Sequence, residues 1–334
     1  MTKVLVTGGT GFIASHVIQQ LLDQGHCVVT TVRSQEKADR VVSGYKHAAE
    51  RLQVVIVPEI AHEQAFDEVV KLPGIEAVMH TASPCTLKFT DAKTELVDPA
   101  LLGTTNVLRA VQRDAPQVRR IIITSSIAAI LDVANPTATF SEESWNPCDM
   151  EALNQGPGRA YMLAKALAER AAWDYVADNK PNYDLVTVNP PVVFGPVLPH
   201  LLSVGSMNVS NQALSDLMSG KWKEQIPPAG PVNVCVDVRD VAAAHIRGME
   251  LSGAGGKRLF AVGQRFSNSR LAEIMRAGEY SFKDQLPAAD VKGDAGAFGI
   301  SYNNDETNAL LGLSWTPLET TIGDFVKSVN GITL

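Results

Sequence analysis

A glycine-rich turn near the start of the chain constrains the fold more than any other feature. Val4-Leu5-Val6-Thr7 runs into Gly8-Gly9-Thr10-Gly11, and Phe12-Ile13-Ala14 opens a helical pattern. An apolar strand, a tight turn and a helix N-terminus in that order read as the first step of a dinucleotide-binding βαβ unit. Gly8 and Gly11 carry no Cβ, so the backbone can turn sharply and approach a pyrophosphate. The first helical N–H groups then face that anion, and the helix dipole adds favourable potential. Ala14 stands where a third small residue lets helix pack on strand. Taken alone, the glycines also fit a tight turn with no ligand; the strand before and the helix after favour the nucleotide.

Strand-like and helix-like segments alternate through the first half. Strands are expected at Val4–Thr7, Cys27–Val32, Val54–Val57, Ala77–Thr81, Arg120–Thr124 and Leu185–Val188. Helices are expected from the glycine turn to about Gln24, then at Gln35–Arg51, Ala65–Lys71, Thr94–Arg113 and Gly158–Asn179. This alternation predicts an α/β fold: a Rossmann-type doubly wound parallel sheet with helices on both faces. Ligand is then expected at the carboxyl ends of the strands. The stretch 190–231 is rich in Pro, Gly, Ser and Asn and reads as an excursion from the sheet. Strand and helix return at Val234–Val236 and Asp240–Met249, with a further strand at Arg258–Val262. The expected organisation is a nucleotide-binding domain of 1–189 plus 232–263 and a small substrate lid of 190–231 plus 264–334.

Bulk properties exclude several classes. A net charge of −7 argues against nucleic acid or an anionic membrane as main partner. No apolar run reaches the length of a membrane span. Four scattered cysteines fit reduced thiols and a cytoplasmic setting, and neither they nor the seven histidines show metal-ligand spacing.

The end of the second strand bears on the cofactor. A carboxylate there would accept from a ribose 2′-hydroxyl, whereas an arginine matches a 2′-phosphate. Here Arg33 follows Val32, and Lys37 comes one helical turn on. The pair predicts NADP(H), against the alternative of a solvated basic pair on a surface helix. Tyr161 and Lys165 share a helical face. A phenol titrates near 10, and a neighbouring ammonium, aided by the positive ring of oxidised cofactor, is expected to lower that value. Such a phenol can hand a proton to a carbonyl oxygen. Thr124-Ser125-Ser126 closes the fifth strand, which puts hydroxyls at the ligand edge to hold the same oxygen.

These residues together carry a resemblance. The chain resembles the extended short-chain dehydrogenase/reductases, in particular the dihydroflavonol-reductase-like group that includes fungal NADPH-dependent carbonyl (methylglyoxal, aldehyde and ketone) reductases. The carriers are 8–14, 33–37, 80–84, 124–126, the segment Glu142-Glu143-Ser144-Trp145-Asn146-Pro147, Tyr161-x-x-x-Lys165, 189–196, 237–242 and 310–312. The resemblance implies that Ser126 polarises the carbonyl, Tyr161 donates the proton and Lys165 holds the nicotinamide ribose. It implies Gly8, Gly11, Phe12 and Ile13 at the pyrophosphate, and Arg33 and Lys37 at the 2′-phosphate. Glu59 and Ile60 would lie by the adenine, Thr81, Ala82 and Ser83 along the ribose side, and Thr124 at the strand end. Pro190, Val192, Val193 and Ser210 would sit by the nicotinamide, and Leu131 and Val192 would shape the substrate pocket.

Two departures stand out. Leu102 occupies a position where the family usually carries an Asn that holds a relay water, and Glu59 stands where Asp is usual. Leu131 and Val192 are aliphatic where the yeast members carry aromatics, which suggests a roomier pocket. The leading expectation is an NADPH-dependent reductase of aldehydes, ketones or keto esters, acting as monomer or homodimer. The alternatives are a sugar-nucleotide epimerase or dehydratase, and a non-catalytic NADPH-binding sensor. The first alternative wants basic residues in the lid, yet 190–231 holds only Lys221 and Lys223 as cations.

Overall fold

The computed structural model describes residues 1–204, 208–230, 232–293 and 299–329. The first half alternates β1 (Lys3–Thr7), α1 (Phe12–Asp23), β2 (Cys27–Val32), α2 (Gln35–Gly44), β3 (Leu52–Ile56), α3 (Asp67–Val70) and β4 (Ile75–His80). Then come α4 (Asp98–Asp114), β5 (Arg120–Thr124), a short β6 (Thr139–Phe140), the long α5 (Pro157–Asn179) and β7 (Asp184–Val188). The remainder is β8 (Val192–Phe194), α6 (Gln212–Met218), β9 (Val234–Asp237), α7 (Val238–Glu250), β10 (Arg258–Leu259), β11 (Gln264–Arg265), α8 (Asn268–Ala277), β12 (Ser301–Tyr302), α9 (Asp305–Leu311) and α10 (Leu318–Val329).

Seven strands form one parallel sheet in the order β10-β7-β5-β4-β1-β2-β3. The chain winds one way from β1 through β3 and the other way from β4 to β10. The direction reverses between β1 and β4, where a crevice opens at the carboxyl edge. Alternate residues of β1 serve opposite faces. Val4 and Val6 pack with Val17, Ile18 and Leu21 of α1 and Val241 of α7. Leu5 joins Val107, Leu108 and Val111 of α4. Both faces are covered, which is why the strands read as near-continuous apolar runs.

Two expected elements end early. The helix expected over Gln35–Arg51 stops at Gly44, and a 3₁₀ turn follows at Lys46–Arg51. Tyr45 turns inward there, 1% exposed, and its hydroxyl donates to Ser15 O at 2.7 Å. The strand expected over Arg258–Val262 keeps only two residues in the sheet. Beyond them, side chains replace the ladder: Phe260 N donates to Thr307 Oγ1, and Asn304 Nδ2 donates to Phe260 O and Val262 O.

A second, three-stranded sheet runs β11-β9-β8. Beside it, Phe194, Leu214 and Leu217 share an apolar cluster with Phe266, Leu271, Ile322 and Phe325. Asp237 anchors this region. Its carboxylate caps α7 through Arg239 N at 2.8 Å, pairs with the Arg239 guanidinium and accepts from Thr321 Oγ1 of α10. Arg239 reaches on to Asp324, so an N-cap and an ion pair join α7 to α10. Among the described residues, no helix is long and apolar enough to cross a membrane.

Candidate active site

The turn after β1 is built for close approach. Gly8 has φ +77°, and a Cβ there would lie 3.1 Å from Ala82 Cα. Gly9 N donates to Thr31 O, and a Cβ on Gly9 would meet Thr30 Oγ1 at 2.3 Å. Side chains at either position would push the turn off the sheet edge. Gly11 caps α1 with no side-chain hydrogen bond, and the first turn of α1 holds no acidic residue. Its leading N–H groups are therefore available to an anion. Thr7 ties the switch point together: its Oγ1 accepts from Thr81 N and Ala82 N at 3.1 Å, and Thr81 Oγ1 donates to Thr7 O.

Arg33 follows β2 directly and is exposed; Lys37 is half-buried on α2. Among the described residues neither side chain makes a hydrogen bond or ion pair. The nearby Glu36 is taken by Arg40 at 2.5 Å. Two uncommitted cations therefore flank the turn. Glu59 is exposed in the loop after β3 and accepts from Ala61 N at 3.0 Å. Ile60 is buried against α4, close enough that a Cβ on Gly103 would meet it at 2.8 Å.

Two cavities meet at the carboxyl edge of the sheet. The first, of about 420 Å³, is lined by Gly11, Phe12 and Ile13 on one side and by Thr81 and Ser83 on another. Thr124, Ser126, Tyr161 and Lys165 form its floor, and Pro190, Val193 and Ser210 complete the wall. The second, of about 570 Å³, is mostly apolar and includes Leu131, Met162 and Val192. Ser126, Tyr161 and Ser210 line both cavities, so the two spaces join at the hydroxyl pair. Val192 faces the second cavity and does not line the first. Gly8, Arg33, Lys37, Glu59, Ile60 and Ala82 lie outside both.

At the junction the Tyr161 hydroxyl lies near the Ser126 hydroxyl and the Cys85 thiol, all three of which line both cavities. Ser126 Oγ accepts from Ala128 N at 3.1 Å, so its own proton remains free to donate. Lys165, on the same face of α5, is buried and donates to Thr124 O at 3.5 Å. Thr124 Oγ1 is engaged with His245 at 2.7 Å, a neutral ring whose pKa burial lowers to about 4.

The titration of the phenol differs from the sequence expectation. Burial holds Tyr161 well above the usual tyrosine value, the Cys85 thiol adds to this, and only the neighbouring Ser126 hydroxyl opposes it. The phenol therefore keeps its proton, the form needed to donate to a carbonyl oxygen. Lys165 moves the other way, lowered by burial and supported by Cys85 and Glu169.

Three residues at the site went unread in the sequence. Cys85 lies against the Tyr161 hydroxyl and lines both cavities. Its only local signal was its place directly after Ser83-Pro84. Among the described residues, Arg159 is the single charged side chain lining the second cavity. It donates to Gln155 Oε1 at 3.1 Å and has no carboxylate partner among the described residues. Glu169 shares the face of α5 used by Tyr161 and Lys165, and that spacing was a usable signal.

Leu102, where the family usually carries an Asn that holds a relay water, has its side chain 39% exposed on α4 and lines neither cavity. Leu102→Asn is expected to leave kcat within about twofold of wild type, the range of a surface substitution. A several-fold rise in steady-state turnover would show that the missing Asn relay limits the rate.

The chain belongs to the NAD dependent epimerase/dehydratase family, whose model matches residues 4–263, and so to the extended short-chain dehydrogenase/reductases. Within it, the chain is 40% identical over 329 residues to the ketoreductase azaE of Aspergillus niger, covering 98% of this chain and 97% of that one. It is 36% identical to a protein named putative NADPH-dependent methylglyoxal reductase GRP2 in Candida albicans, covering 99% of both. Among solved structures it superposes on yeast methylglyoxal/isovaleraldehyde reductase Gre2 complexed with NADPH, with TM-score 0.88, 31% identity and 98% of both chains covered.

Proposed function

We propose that the protein is an NADPH-dependent carbonyl reductase that converts aldehydes, ketones or keto esters to alcohols. One observation carries the reading. Two hydroxyl side chains, Ser126 and Tyr161, lie together beside a buried lysine where a nucleotide-sized cavity opens into an apolar one. The residues fit the dinucleotide. The glycine turn leaves no room for side chains, the N-terminus of α1 is uncapped by any side chain, and Arg33 and Lys37 have no other partner among the described residues.

When bound, NADPH supplies the hydride for the carbonyl carbon. Ser126 holds the substrate oxygen through its free proton, and Tyr161 donates its proton to that oxygen as negative charge develops. Lys165 positions the nicotinamide ribose. Leu131, Met162 and Val192 exclude water and select apolar substituents. We also assign the lid role to 190–231 with 264–334, whose shared apolar cluster supports a common unit.

An epimerase or dehydratase acting on a sugar nucleotide needs cations for a diphosphate. Among the described residues the second cavity offers Arg159 alone, and Lys221 is already paired with Asp216. A binding-only sensor has no need of the Ser126–Tyr161 pair. The test is NADPH oxidation followed with a panel of aldehydes, ketones and keto esters. Absence of turnover on all of them, with NADPH bound, sinks the reading.

Arg159 refines the substrate class, since a lone guanidinium in an apolar cavity favours a second carbonyl or ester oxygen. Arg159→Ala is expected to raise KM for a keto ester about tenfold, the scale of one charge-assisted hydrogen bond. KM for a simple apolar aldehyde is expected to stay put. Equal changes for both would remove Arg159 from recognition.

A further inference from the structure

Glu169 follows Lys165 by one helical turn and Tyr161 by two, on a single face of α5. It is 1% exposed, and its carboxylate accepts from five donors. These are Ser125 Oγ, Asn189 Nδ2 at 2.7 Å, Thr187 Oγ1 at 3.2 Å, Trp173 Nε1 at 3.3 Å and Arg258 Nε at 2.6 Å. Two of them hold Ser126: Ser125 is its chain neighbour, and Asn189 Nδ2 also donates to Ser126 O at 3.3 Å.

Arg258 extends the grip to the segment Glu142–Pro147. Its Nη1 donates to Glu142 O at 2.7 Å and Ser144 O at 2.5 Å, and its guanidinium lies 3.8 Å from the Trp145 ring centroid. Asn146 then binds Ala128 O and Ala129 O, in the turn just after Ser126. The Glu142–Pro147 motif thereby locks the loop that lines the substrate cavity.

Packing alone does not call for charge here. A buried ion pair loses much of its Coulomb gain to desolvation, and apolar replacement is often neutral or stabilising. Position explains the charge better, because His80, Lys165 and Glu169 face one small cavity of about 10 Å³. We propose that Glu169 is a positioning residue for the carbonyl reduction: braced by Arg258, it fixes the Ser125–Ser126 turn and places a negative charge one helical turn from the Lys165 ammonium. This rests on the reductase reading above.

The groups facing Lys165 are Tyr161 and Glu169 on α5, Cys85 in the loop after β4, His80 at the end of β4, and Thr124 O on β5. His80 stays neutral, since burial and Lys165 lower it to about 3. Burial lowers Lys165, and Glu169 opposes that. Removing the negative charge lowers Lys165 further, so the ammonium is lost at a lower pH.

The test compares wild type with Glu169→Gln and with the double variant Glu169→Gln/Arg258→Met. In both variants kcat is expected to fall at least about tenfold, with the alkaline limb of its pH profile moved down by about one unit. KM for NADPH is expected to stay within about threefold, because the glycine turn is untouched. The single variant leaves a guanidinium buried alone and should melt earlier; the double variant should recover melting temperature but not the limb. A limb at the wild-type pH in either folded variant overturns the proposal, as does its return in the double. Wild type inactive on every carbonyl overturns the functional reading, and this inference with it.

Discussion

Tyr161→Phe is expected to cut kcat by about 10²-fold or more, the scale of losing a general acid, while leaving NADPH affinity nearly intact. The substitution removes one oxygen. That oxygen's neighbours are Ser126 and Cys85, both at the cavity junction, so the change falls on the reacting end of the site. The ring keeps its place in the cluster with Leu163, Ala164 and Ala168, so packing and melting temperature should hold. Ser126 can still hold the substrate oxygen, but the proton must then come from water. KM for the carbonyl should change less than kcat, because the lost interaction strengthens as charge develops on oxygen. Stopped-flow single turnover under saturating NADPH separates this from slow product release. A variant that reduces carbonyls at the wild-type rate would remove Tyr161 from the chemistry.

The pH dependence carries a sign. Burial keeps the phenol protonated well above the usual tyrosine value, so loss of the acid does not limit reduction near neutral pH. The reverse reaction needs the phenolate, and here the same burial works against it. Alcohol oxidation should therefore demand higher pH than carbonyl reduction.

What could be read in the chain was local. The turn from Thr7 to Phe12, the i,i+4 pair Tyr161–Lys165 and the basic pair Arg33–Lys37 each lie within one or two turns of backbone, where spacing fixes geometry. The alternation of strands and helices sufficed for the parallel sheet, since both its faces are covered. What escaped depends on distant contacts. The break at Gly44 follows from Tyr45 reaching Ser15 and packing edge-on to His200, with ring centroids 4.9 Å apart. The early end of β10 follows from Thr307 and Asn304 taking over its backbone groups. Arg258 and Glu169 are far apart in sequence, and no periodicity links a strand residue to a helix residue across such a gap. The exposure of Leu102 escaped for a related reason: a family pattern gives a position along α4 but not which way its side chain faces.

Arg33→Asp is expected to lower the preference for NADPH over NADH by about 10²- to 10³-fold in kcat/KM. Three effects add. The guanidinium's charge-assisted hydrogen bonds to a 2′-phosphate are worth roughly 1.5–3 kcal/mol. A carboxylate in its place repels that phosphate by about 1 kcal/mol at surface dielectric. The same carboxylate can accept from a free ribose 2′-hydroxyl, which improves NADH. At about 1.4 kcal/mol per tenfold, the sum lies in the stated range. Lys37 remains as a second cation, so NADPH binding weakens rather than vanishes, and double substitution with Lys37→Ala should weaken it further. The fold should not notice, because Arg33 is exposed and makes no hydrogen bond or ion pair among the described residues. NADPH binding by wild type should also fall with added salt, and less steeply in the variant. Titration of both cofactors against protein fluorescence, with kcat/KM for each, reads the preference directly. An unchanged ratio in a folded variant would place the phosphate elsewhere on the sheet edge and leave the cation pair after β2 as a solvated surface feature.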